Sequence, residues 1–206
     1  MSLVPADRRL VRLAALITLG DWDELRALRR AAPDGEPDRR WREVLLQSHL
    51  FAGFPRMVEA ASRLAEAGGL GPSEADELLE ARDPGAGRRL FESIYAEQAA
   101  AVRADLAGFH PLLARWIDEH AYSRVLARPG LAPDRRELCA VAALAAQEQE
   151  RQLASHARGA VRLGANVAEV QAVVEEIRDL LAPPALERAR EVVAHFAREG
   201  TSAPPP

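Results

Sequence analysis

The chain has 206 residues, 48% hydrophobic and 28% charged, which suffices for a core without disulfides and is ordinary for a globular protein. A formal net charge of −4 leaves no basic footprint for nucleic acid, and no stretch approaches the ~20 apolar residues of a membrane span. The single Cys139 excludes an internal disulfide and a CxxC pair, the lack of lysine excludes Schiff-base chemistry, and the five scattered histidines form no metal-ligand spacing.

Apolar residues recur at helical spacing throughout and no segment alternates with period two, so the fold class is all-α. In chain order the pattern predicts helices over 6–19, 21–31, 37–51, 54–67, 73–82, 86–107, 111–127, 133–147, 149–164, 167–181 and 184–198. The breakers "APDGEPD", "GGLGPS", "RDPGAG", "ARPGLAPD" and "LAPP" fall between them. Asn166 with Glu169 reads as a capping box. The first apolar run, "LAALITLG", is short and follows Arg12, which does not fit a signal peptide. A reducing, cytoplasmic setting is the simplest expectation for a chain with one cysteine.

A shift of 128 residues lays "RRLVRLAALITLGDWDELRALRRAA" (Arg8–Ala32) over "RELCAVAALAAQEQERQLASHARGA" (Arg136–Ala160). Leu10, Ala14, Ala15, Leu16, Leu25, Arg30 and Ala32 fall on Leu138, Ala142, Ala143, Leu144, Leu153, Arg158 and Ala160. The expected organisation is therefore a degenerate N-terminal repeat (1–69), connecting helices (70–132), a C-terminal repeat with the candidate site (133–199) and a disordered tail (200–206). The first copy has the breaker Gly20-Asp21 between its helices, where the second has Gln147-Glu148-Gln149-Glu150. If the break is shared, 133–164 is a hairpin. Glu137 and His156 then both lie ~14 Å from its turn, in one layer, within reach across axes ~8–10 Å apart. In the first copy their places are taken by Arg9 and Leu28.

At these residues the sequence resembles the carboxymuconolactone decarboxylase family and its alkyl hydroperoxidase D relatives. The likeness runs through "RPGLAPDRRELCAVAALAAQEQERQLASHARGAVRLGANVAEVQAVVEEI", the Gly-Phe-Pro segment "WREVLLQSHLFAGFPRMVEA" and the approach "GRRLFESIYAEQAAAVRADLAGFHPLLARWIDEHAYSRVLARPGL". The resemblance implies an all-α fold of packed hairpins and a homo-oligomer, with three two-copy chains making a pseudo-hexamer. It also implies chemistry on a small-molecule substrate with no cofactor, as in aromatic catabolism. The Glu and His tied to proton transfer in the family's peroxidase branch fall on Glu137 and His156. The peroxidase branch needs a CxxC where this chain has Gln149 and Gln152.

Each candidate has a plainer alternative. His156, on a stripe with Leu153, Ala160 and Gly164, is either a general acid or a packed core histidine. Glu137 either orients that imidazole or complements its helix dipole. His49 and Arg136 are candidates for binding substrate, His49 as a second polar wall and Arg136 for a carboxylate; the alternatives are packing and exposure. Cys139 reads as a small apolar core residue. The functions that follow are a decarboxylating lyase, a peroxidase-like antioxidant protein, or a non-catalytic helical oligomerisation module.

Overall fold

The computed structural model describes residues 3–78, 83 and 85–201, and no strand occurs among them. Ten α-helices are labelled here: α1 (Pro5–Leu19), α2 (Trp22–Arg30), α3 (Asp38–Glu66), α4 (Ala86–Tyr95), α5 (Ala99–Phe109), α6 (Pro111–Trp116), α7 (Pro133–Ala146), α8 (Glu150–Arg162), α9 (Val167–Glu176) and α10 (Pro183–Glu199). A π-helical segment, Ile117–Leu126, continues α6. No helix among the described residues is long and apolar enough to cross a membrane.

The centre is α1 packed on α7. Every residue of α7 from Arg136 to Ala145 is buried, and α1 is buried from Leu13 to Thr18. A helix buried all round must be apolar all round, and the Ala-rich runs "LAALIT" and "LCAVAALAA" meet that need while keeping side-chain volume small. The fully buried leucines Leu10, Leu13, Leu16, Leu138 and Leu153 each contribute about 1.5–3 kcal/mol of apolar burial. Helices α2 and α3 cover one flank, and α8, α9 and α10 the other.

Helix ends follow sequence chemistry. Pro5, Pro133 and Pro183 open α1, α7 and α10, where a missing N–H costs nothing. Asn166 Oδ1 accepts from the Glu169 N–H while Glu169 Oε2 accepts from the Asn166 N–H, both at 2.9 Å, so the expected capping box forms. The break expected between the helices of 133–164 is also present: Glu148 takes a left-handed conformation (φ 56°), as Gly20 does in the α1–α2 turn (φ 75°). Both turns close with the same bond, Asp21 N–H to Leu16 O at 3.1 Å and Gln149 N–H to Leu144 O at 3.0 Å.

The break expected between 37–51 and 54–67 is present within α3, where Gly53 leaves helical geometry (φ 79°, ψ 162°). Three expectations need correction. Of 73–82, residues 79–82 lie outside the described residues, and Ala75–Leu78 forms a single 3₁₀ turn. The helix expected over 86–107 breaks after Tyr95, where Ala96 adopts φ 47° and ψ −124°. No glycine or proline announces that break; Arg162, from α8, donates to the Ile94 carbonyl at 2.8 Å and holds the end of α4 there. The helix expected over 111–127 changes to π geometry at Ile117. The tail expected to be disordered lies outside the described residues from 202 onward.

Helix α4 and the π segment lie over α8 and α3 as a roof. Their own small core is Phe91, Ile94, Ala99, Tyr122 and Leu126. Between roof and hairpin the packing is incomplete, which leaves the cavity described next.

Candidate active site

The α7–α8 hairpin places Glu137 and His156 across from one another. His156 Nδ1 donates to Glu137 Oε2 at 2.8 Å. Glu137 is 1% exposed and His156 8%. Gly159, one turn after His156, makes the approach possible. A Cβ at Gly159 would lie 3.0 Å from Glu137 Oε2 and 2.9 Å from Ile94 Cγ2.

Burial pushes the His156 imidazole down, but the Glu137 carboxylate, through its charge and its hydrogen bond, more than offsets this and holds His156 above the ordinary histidine value. With Nδ1 committed to Glu137, Nε2 is the ring atom left for another partner. No protein group among the described residues bonds it.

His156 forms part of the wall of a cavity of about 460 Å³. Its inner lining includes Phe51, Phe91, Tyr95, Tyr122 and Leu126, and its mouth is rimmed by Asp105, Arg151 and Gln152. Phe51 meets His156 edge-on at 5.9 Å between ring centres. The π segment contributes Ile117, Ala121, Tyr122 and Leu126, a spacing of four to five that fits i→i+5 hydrogen bonding better than an α-helix. An apolar chamber with a few converging polar groups is the usual form of a small-molecule site.

The other two sequence candidates lie elsewhere. His49 does not line this cavity. It lies in a separate hollow with His120, Phe54 and Arg124. Its neighbours Leu50 and Phe51 take the cavity side, and each step along a helix turns the side chain by about 100°. His49 Nδ1 donates to the Leu46 carbonyl at 2.5 Å, so Nε2 accepts from His120 Nε2–H at 2.7 Å. Arg136 is 1% exposed, neither at the surface nor at the cavity. Its Nη2 donates to Glu43 Oε2 at 2.7 Å and to the Arg128 and Pro129 carbonyls. Glu43, wholly buried, also accepts from Arg128 at 3.0 Å. Gln47, one turn on from Glu43, donates to the Arg136 carbonyl at 2.8 Å. Arg136 is thus the lock between α3 and the first turn of α7, beside Glu137.

Cys139 is 2% exposed, and burial pushes its thiol up to about 12. A thiol held in that state supplies almost no nucleophilic thiolate.

Sequence reasoning missed the tyrosines. The chain has two, Tyr95 and Tyr122, and both line the cavity. Their scarcity, and their place in the two segments that became the roof, was the available signal.

No curated protein matches the chain. The carboxymuconolactone decarboxylase family model matches residues 111–195, from α6 through the π segment and the Glu137–His156 hairpin into α10. The match begins inside the stretch read above as connecting helices, so the π wall belongs with the hairpin. Over residues 111–195 the chain is thus similar to the carboxymuconolactone decarboxylase family.

Proposed function

We propose that the chain is a cofactor-free carboxy-lyase acting on a small cyclic carboxylate. The observation that carries this reading is the 2.8 Å Glu137–His156 bond in the wall of a largely apolar cavity, with Nε2 bonded to no protein group among the described residues. Losing CO₂ breaks the ring carbon–carboxylate bond and leaves its electron pair on the ring. A conjugated carbonyl of the substrate takes up that pair as an enolate. Apolar walls favour the step because the carboxylate is bound out of water and its charge spreads as CO₂ departs. His156, whose protonated form the Glu137 carboxylate favours, delivers the Nε2 proton to the ring carbon, and solvent restores it. Glu137 fixes the ring orientation and stabilises the imidazolium, as the third group of a relay does. Arg151, at the rim and 4.0 Å from Asp105, is placed to receive a second carboxylate of the substrate.

The antioxidant alternative loses its support with Cys139 sealed in the core. The purely structural module is disfavoured by the open cavity around His156. Assembly as a trimer remains part of the proposal; the exposed Phe109 and Trp116 near the mouth suit such a contact, and solution mass reads it. The test of the lyase is a screen of carboxylated lactones and β-keto acids with CO₂ detection. Release that disappears in His156→Ala supports it, and no release from any member of the panel sinks it.

A further inference from the structure

The lyase reading does not assign Tyr95 and Tyr122. The Tyr122 hydroxyl donates to the Tyr95 hydroxyl at 3.3 Å. Two hydroxyls carry two protons, and their mutual bond uses one. Among the described residues neither hydroxyl has any other protein partner, so whichever way the pair is oriented, one O–H proton remains without an acceptor. Both side chains line the His156 cavity, Tyr122 at 4% exposure and Tyr95 less deeply buried. The rings are fixed. Phe91 lies 4.4 Å from Tyr95 and 4.8 Å, edge-on, from Tyr122 between ring centres. Arg162 pins the end of α4 immediately before Tyr95.

Burial, together with the Glu137 charge, pushes both phenols up. They therefore stay protonated and serve as donors. Gln147, also in the lining, donates its Nε2–H to the Phe51 carbonyl at 2.6 Å. Solvent in the cavity can accept this proton, and a ligand oxygen bound there can take its place.

We infer that Tyr95, backed by Tyr122, is an oxyanion-binding subsite that takes a negatively charged oxygen on a small unsaturated ring, an enolate or a phenolate. Tyr95 donates directly to that oxygen, and Tyr122 polarises Tyr95 from behind. In the lyase reading, on which the catalytic sense of this subsite rests, the oxygen is the carbonyl that receives the electron pair when CO₂ leaves. Donors fixed in advance where charge develops are the strongest kind of electrostatic assistance available to such a site.

The test uses 4-nitrophenol with the full-length protein, since its visible absorption reports ionisation, and 4-nitrotoluene as the uncharged isostere. The wild type is expected to bind the phenolate saturably and to lower the pH at which the bound probe ionises. Tyr95→Phe should weaken phenolate binding roughly tenfold or more, the value of one hydrogen bond to a charged group. Its affinity for 4-nitrotoluene should not change. Tyr122→Phe should weaken phenolate binding by a smaller factor, and an unchanged melting temperature shows that both variants fold. No saturable phenolate binding by the wild type, or equal phenolate affinity in wild type and Tyr95→Phe, overturns the subsite. The two proposals fail separately. Tyrosine-dependent phenolate binding without CO₂ release from any substrate sinks the lyase and leaves the subsite. CO₂ release with phenolate affinity indifferent to Tyr95→Phe does the reverse.

Discussion

The hairpins α1–α2 and α7–α8 are built on one frame, and one of them has the candidate site. Their buried positions correspond across the 128-residue shift: Leu10 with Leu138, Val11 with Cys139, Leu16 with Leu144, Leu25 with Leu153. Their turns close with corresponding hydrogen bonds. They differ at two polar positions and in what lies above them. Where α7 has Glu137, α1 has Arg9, paired to Glu36; where α8 has His156, α2 has Leu28, packed against the core. The hollow over the α1–α2 turn is large, about 680 Å³, but open, and its Arg26 is paired with Asp23 and Glu66. Over α8 stands the roof, whose aromatic core walls a more sheltered cavity. A hairpin of this shape becomes a candidate site when a relay faces inward and a second layer partly covers it. Common ancestry of the two hairpins is our inference from the shared frame.

The sharpest break of the comparison removes the relay. His156→Ala is expected to lower turnover of the substrate found in the CO₂ screen by ~10²–10⁴-fold, the range for a lost general acid. Glu137→Gln should lower it strongly as well, and the double variant should be no worse than His156→Ala alone, because the two act as one unit. Near-multiplicative losses would show that they act independently. The pH dependence has a definite sign. The folded-state value of His156 is raised, so its pair stabilises in full below the unfolded value of ~6.5 and ceases to do so as pH rises through the folded value. Turnover should therefore fall on the alkaline side, and Glu137→Gln should move that limb to lower pH. The denaturation free-energy gap between the two proteins should also narrow as pH climbs.

The second break removes the lock. Glu43→Ala leaves Arg136 buried and uncompensated, which should cost ~3–5 kcal/mol of stability by chemical denaturation. Arg8, the counterpart of Arg136 in α1, is half-exposed opposite Glu176; Glu176→Ala should cost no more than ~1 kcal/mol. Equal costs would remove the asymmetry between the two frames.

Gly159 offers a finer test. Gly159→Ala pushes a methyl against Ile94 and Glu137 and should cost ~1–2 kcal/mol, overpacking exceeding the helix-propensity gain. Turnover should fall with it as the carboxylate shifts. The counterpart, Ala31, already has a Cβ, and Ala31→Gly should leave activity untouched. The last test is at the turns. Gly20→Ala places a Cβ in a left-handed conformation and into Arg56, which should cost ~1–2 kcal/mol. Glu148→Gly relieves the same strain but frees the unfolded chain, and should change stability by less than ~1 kcal/mol.

What was legible in the sequence was whatever repeats or is local. Periodicity showed the helices, and alignment with Arg8–Ala32 placed the turn of α7 although Glu148 is no breaker. Once the turn is placed, the meeting of Glu137 with His156 follows from equal distances along two helices. The roof was not legible, because the break at Ala96 and the π geometry from Ile117 are imposed by neighbours such as Arg162. Tyr95 and Tyr122 meet only once that roof is folded. Arg136 was misplaced for a related reason. Its partner Glu43 is 93 residues away, and nothing local distinguishes a buried arginine from an exposed one.

The bond between Arg136 and Glu43 bears on how far the protein can be taken apart. The family match starts at residue 111, which invites cutting the chain there. Such a fragment would leave behind α1, the wall against which α7 is buried, together with the carboxylate that neutralises Arg136. Its central helix would be bare along one side and would carry an orphaned charge at its first turn. The matched stretch is thus expected not to fold by itself. The N-terminal hairpin supplies the apolar surface against which α7 is buried.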